Sequence, residues 1–171
     1  MKKVLCIGEA LIDMICTDRG TNLSKGQNFL KKAGGAPANV AAAIAALGGG
    51  VDMAAKVGKD PFGVHIIELL KEMGVDTQWV LQDEKHFTTF AFVSLMEDGE
   101  RDFYFNRGAD GQLSSKDLSG LNLNEYSIVH FGSATSFLPG PLQSAYIDLL
   151  EQSKKAGAII SFDPNHYFDG S

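Results

Sequence analysis

Four short strand-like runs, at positions 4–7, 51–57, 127–131 and 158–162, are separated by stretches that carry helix start and stop signals. This alternation constrains the fold more than any other feature of the chain. Residues 4–7 are continuously apolar behind two lysines, the mark of a strand buried on both faces. A helix is predicted after Gly35, with Pro37 in its first turn and the glycines at 48–50 stopping it. Asp60 and Pro61 open an amphipathic helix that runs to about Met73 and ends at Gly74, and residues 141–155 form a third. Strands and helices in alternation imply a parallel sheet with helices on its faces. At 171 residues the chain fits one domain with a sizeable core.

Two regions depart from that rhythm. Residues 12–32 and 87–107 read as antiparallel strands with turns rather than crossover units. In FTTFAFVSLMEDGERDFYFNR, β-branched and aromatic residues flank Asp98-Gly99, a strong hairpin signal. The expected organisation is an α/β core of residues 1–11, 33–86 and 108–171, with a small antiparallel β lid of residues 12–32 and 87–107.

Charge and cysteine content exclude several function classes. A net charge of -6, with no run of more than two basic residues, argues against a nucleic-acid partner. No stretch is long and apolar enough to span a membrane as a helix. The N-terminal apolar run is broken by Glu9 and Asp13 and lacks a small-residue cleavage pattern, so a buried strand is preferred to a signal peptide. Cys6 and Cys16 read as reduced thiols, which suggests a cytoplasmic protein. The four histidines show no metal spacing, and neither a G-x-x-x-x-G-K-[ST] nor a G-x-G-x-x-G loop occurs.

The candidate ligand-binding residues lie at predicted strand ends and helix starts. Gly34 and Gly35 allow close backbone approach, and the unpaired amides of the following helix would donate to an oxygen-rich ligand. Asn39 adds an amide that donates and accepts. On the glycines alone, a tight turn and a capped, alanine-rich helix packed on a sheet is the preferred description, because glycine turns are common at such junctions. Asp13, beyond the first strand, points toward a crevice where its carboxylate would accept from vicinal hydroxyls; a turn-capping role is the alternative. Glu9 is ambiguous. Alternation in RDFYFNR puts Arg101, Phe103, Phe105 and Arg107 on one face, fit to cover a ligand, to pack a two-layer appendage or to form a dimer surface. Asp163 and Asn165 flank a proline at the last strand's end, in reach of the crevice or as turn residues.

Together, GEALID at 8–13, the spaced set Gly34, Gly35, Pro37, Asn39, Ala41, Gly48 and Gly58, VGKDPFG at 57–63, FNRGAD at 105–110 and SFDPN at 161–165 resemble the PfkB, or ribokinase-like, family of carbohydrate kinases. The resemblance runs along the whole chain. It implies a ribokinase-like parallel sheet with a β lid, and transfer of the γ-phosphoryl group of ATP to a sugar hydroxyl with Mg²⁺ as cofactor. By resemblance Asp13, Gly34, Gly35 and Asn39 hold the sugar, Phe105 and Arg107 approach it from the lid, and Asn165 lies toward the nucleotide phosphates. GEALIDMI and GGAPANVA are most similar to fructokinases, since ribokinases typically carry Lys-Gly where Ala36 and Pro37 stand. A 2-keto-3-deoxygluconate kinase, using Arg107 on an acidic sugar, is the alternative within the family. The family's pairing through the lid implies a homodimer.

Two departures set further expectations. The family's Asp-Thr-x-Gly-Ala-Gly-Asp segment, with the anion hole and the base, does not occur in these residues, so no catalytic residue is assigned and no metal ligand is expected. The expectation is therefore an incomplete sheet with an exposed edge, inactive alone, or else a non-catalytic sugar-binding or partner-binding protein. His166 and Tyr167 stand where an Arg often follows the DPN motif.

Overall fold

The computed structural model describes residues 2–132, 135 and 138–164. Two sheets organise it. The first runs in the order β5-β4-β1-β8-β9, from β1 (Lys3–Ile7), β4 (Val51–Gly58), β5 (Val80–Asp83), β8 (Tyr126–Gly132) and β9 (Ile159–Asp163), all parallel. Helices α1 (Ala36–Ala46), α2 (Pro61–Glu72) and α3 (Pro141–Lys155) follow the expected boundaries closely.

Helix cover on both faces explains the unbroken apolar runs. In β1, Cys6 points into one core cluster with Ala38 and Ala41 of α1 and with Ile66 and Leu70 of α2. Its neighbours Leu5 and Ile7 point the other way, against Leu142, Tyr146 and Leu149 of α3. Strand β4 repeats the division: Met53, Ala55 and Val57 join the first cluster and Ala54 the second. A two-residue period survives inside β1, where neither face is polar because each has its own helices; in β4 the second face also carries buried Asp52 and half-buried Lys56, bonded to Tyr126 and to Asp117.

The second sheet has the order β3-β2-β6-β7, from β2 (Leu11–Cys16), β3 (Phe29–Gly34), β6 (Phe90–Leu95) and β7 (Arg101–Asn106). The Asp98-Gly99 turn closes the β6–β7 hairpin as expected, with Gly99 at φ 84°. The pairs β2–β3 and β6–β7 are antiparallel, but β2 and β6 join in parallel register, Asp13 opposite Ala91. The lid is thus mixed rather than wholly antiparallel. Its two inner strands, β2 and β6, follow β1 and β5, two parallel strands of the core, so they enter the lid in the same direction.

The base of the lid is fastened by two adjacent threonines, each at most 1 % exposed. Thr88 donates its N–H (2.7 Å) and hydroxyl (2.8 Å) to the Asp60 carboxylate, which also caps α2 through Phe62 and Gly63 N–H. Burial opposes ionisation of Asp60, but these hydrogen bonds outweigh it and hold its carboxyl below the usual range. Thr89 donates to Asp110 and accepts from Gly108 N–H at 2.8 Å. No helix among the described residues is long and apolar enough to cross a membrane, and both cysteines are free thiols.

Candidate functional site

The candidate site lies at the seam between the sheets, where β1 ends, α1 begins and the lid strands depart. Gly34 and Gly35 are both buried there. Gly35 caps α1 at φ 105°, a conformation a side chain rarely adopts, and a Cβ on it would overlap the Glu9 carbonyl. A Cβ on Gly34 would overlap the Asp13 carboxylate. The glycine pair therefore makes room for the Glu9 backbone on one side and for the Asp13 carboxylate on the other.

Asp13 is half-buried on β2, and burial pushes its carboxyl above its ordinary value. Register aligns Lys32, Asp13, Ala91 and Phe105 as one cross-strand row on a single face of the lid. The next row outward on that face is Leu30, Ile15, Val93 and Phe103. Phe103 and Phe105 share a face, with near-parallel rings 6.3 Å apart, as the alternation expects. Asn39 stands exposed one turn into α1.

Three placements differ from the sequence reading or extend it. The helix mouth is narrower than expected, because Glu9, 2 % exposed, accepts from the Ala36 N–H through Oε1 at 3.3 Å. Glu9 thereby takes up an amide assigned to a ligand, and Pro37 offers none. Glu9 Oε2 also accepts from the Thr135 hydroxyl at 3.5 Å, so the ambiguous carboxylate is a structural part of the site. Arg107 falls one residue past β7, at the root of the lid rather than on its blade. Its guanidinium donates to the carbonyls of Thr135 (3.1 Å) and Pro139 (3.3 Å) and faces Asp110. Asn165 lies outside the described residues.

Sequence reasoning gave no role to Thr88, Thr89 or Asp110. The available signal was a polar doublet between two phenylalanines at a strand entry, Phe87-Thr88-Thr89-Phe90, which is out of place unless both hydroxyls have buried partners.

The second sheet thus departs from the carboxyl ends of β1 and β5, with Asp13 on it and Arg107 at its root. The sequence profile of pfkB family carbohydrate kinases matches residues 1–167, and the chain belongs to that family. It is 42 % identical over 164 residues to Fructokinase-1 of Oryza sativa subsp. japonica, covering 95 % of this chain and 50 % of that protein. The chain spans about half the length of the curated relatives it matches. The fructokinase of Xylella fastidiosa, solved with bound ATP, superposes with a TM-score of 0.85 at 35 % identity, over 100 % of this chain and 52 % of that one. A structure from E. coli, solved with ATP and Mg²⁺, gives a TM-score of 0.89 at 29 % identity, over 98 % of this chain and 54 % of that one.

Proposed function

We propose that this chain forms the sugar-binding and lid portion of an ATP-dependent fructokinase. In this reading a fructose hydroxyl attacks the γ-phosphorus, the bond to the β–γ bridging oxygen breaks, and fructose 6-phosphate and ADP are released. The hydroxyl proton goes to an Asp of the family's second signature, a segment absent from these 171 residues, which alone would have no appreciable kinase activity. Asp13, Gly34, Gly35 and Asn39 hold the sugar, Phe105 covers it, Arg107 braces the lid root, and Asn165 serves the nucleotide side. Lid closure excludes water, which suppresses hydrolysis of ATP and strengthens the electrostatics inside.

The observation that carries this reading is the Asp13 carboxylate lying over the backbone of Gly34, at the seam beneath the lid. An ionised carboxylate held there presents acceptors to paired hydroxyls. The fructokinase relatives favour fructose among the sugars. The engagement of Arg107 by three protein groups disfavours 2-keto-3-deoxygluconate, whose carboxylate would compete with them. Among the described residues no group of three or more His, Cys, Asp or Glu could hold a metal. In kinases Mg²⁺ takes its ligands largely from substrate phosphates and water.

The proposal extends to a homodimer through the lid. Leu30, Ile15 and Phe103 are 48, 39 and 44 % exposed in one row on the Asp13 face, an apolar strip suited to a second copy. A cytoplasmic location accords with the two free thiols.

The deciding experiment offers the complete protein ATP with fructose, ribose, 2-keto-3-deoxygluconate and nucleosides, and identifies products by NMR. Fructose 6-phosphate as the preferred product is expected. Preference for another acceptor, or none phosphorylated, overturns the assignment.

A further inference from the structure

One buried acid at the lid root has no task in the reading above. Asp110 is 1 % exposed, and its Oδ1 accepts from the Thr89 hydroxyl. Its Oδ2 has no hydrogen-bond donor among the described residues, and neither does the buried Arg107 Nε an acceptor. The two atoms face each other at 3.5 Å, an ion pair without hydrogen-bond geometry. A carboxylate oxygen enclosed without a donor is costly, so a strong drive exists to close that gap.

The surroundings leave room for this contact. Gly111 lacks the Cβ that would lie 2.8 Å from Arg107 Nε. Lys56 fixes the same turn from behind, donating to the Gln112 carbonyl at 3.2 Å and to Asp117 at 2.9 Å. Beyond Arg107 the contacts continue through the Thr135 carbonyl, the Thr135 hydroxyl and Glu9 to the Ala36 amide at the start of α1. A contiguous polar chain thus joins the lid root at Thr89 and Gly108 to the helix mouth beside Gly35.

We propose that Asp110 is a positioning residue for the sugar site: it holds Arg107 by Nε, and the pair closes into a charge-assisted hydrogen bond when the lid comes down on the sugar. The proposal rests on the sugar-kinase reading. Asp110 touches neither sugar nor ATP. It acts by keeping the guanidinium turned toward Thr135, which steadies Glu9 and the glycine turn behind Asp13. Catalytic contacts are often loose before substrate binds and tighten in the complex, which matches the observed gap.

The test is a double-mutant cycle on the complete protein with wild type, Asp110→Asn, Arg107→Lys and the double variant. Asn keeps the acceptor for Thr89 and removes the charge. Asp110→Asn is expected to raise the fructose KM about tenfold and to leave the ATP KM within about twofold. The double variant should be no worse than Arg107→Lys alone by more than about twofold, because the pair acts as a unit. If Asp110→Asn does not fold, Thr89→Val should raise the fructose KM about threefold and Thr89→Ser should restore it. An unchanged fructose KM, equal shifts for both substrates, or losses that multiply in the double variant overturn the proposal. Wild-type inactivity toward every sugar sinks the kinase reading and this latch with it; an active wild type with an unaffected Asp110→Asn sinks the latch alone.

Discussion

In the core sheet Leu5, Cys6, Ile7, Met53, Ala54 and Ala55 are wholly enclosed, whereas in the lid Ile15, Leu30, Leu95 and Phe103 stand 39 to 59 % exposed. Both sheets are made of short strands rich in apolar residues, so composition does not separate them. Cover does. Helices close both faces of β1 and β4, but the lid is packed at its root, where Phe90 meets Phe62 of α2 edge-to-face at 4.9 Å. The face carrying Asp13 is left available. Burial is concentrated in one sheet and solvent exposure in the other, and low burial is the mark of the less stable parts of a fold.

Truncation probes that contrast most forcefully. Leu5→Ala should cost about 2–5 kcal/mol, the loss typical of a fully enclosed leucine. Ile15→Ala should cost under about 1 kcal/mol, since much of its surface already meets solvent. Urea midpoints measure both, and similar losses would erase the distinction between the sheets.

The junction should fall just below. Asp60→Ala removes an α2 cap and both acceptors to which Thr88 donates, at a cost of about 2–4 kcal/mol by thermal unfolding. Because the Asp60 carboxyl is held below its ordinary value, its contribution is present above the unfolded carboxylate pKa and is lost as pH falls through the folded one. The Ala variant should lack that part of the acid dependence; an unaltered acid profile would refute the assignment.

The smallest stability effect, with a clear functional one, belongs to Asp13. Burial raises its pKa, so its ionised form costs folding energy at neutral pH and protonation relieves that cost as pH falls through the raised value. Asp13→Asn should therefore be at least as stable as wild type while fructose affinity drops about tenfold or more. On the fructokinase reading, the fructose KM of the complete protein should climb on acidification, beginning above the ordinary carboxylate range, and its Asn variant should show a flat profile. A melting temperature that falls in step with affinity would make Asp13 a structural residue.

The same contrast explains what could be read from the sequence. Residues 4–7 announced a two-sided buried strand, and Asp60-Pro61, Gly74 and Pro141 marked helix ends, because these signals are local. Strand β5 escaped notice because Val80 is the one buried side chain among its four residues. The parallel β2–β6 pairing was invisible because alternation is the same whichever way a neighbour runs. Asp13 was singled out by its place after β1, but the role of Glu9 depends on Thr135, a partner 126 positions away. Asp110 was quoted within FNRGAD, yet its burial and its gap to Arg107 exist only in three dimensions.

The parallel seam at the centre of the lid also orders events during synthesis. Ile12 and Phe90 are neighbours across it, so the β2–β3 ribbon, complete at Gly34, must wait for roughly sixty residues before its partner strand Phe90–Leu95 exists. During that interval its apolar strip has only itself for company, a window in which chaperones or a second nascent chain would find it first.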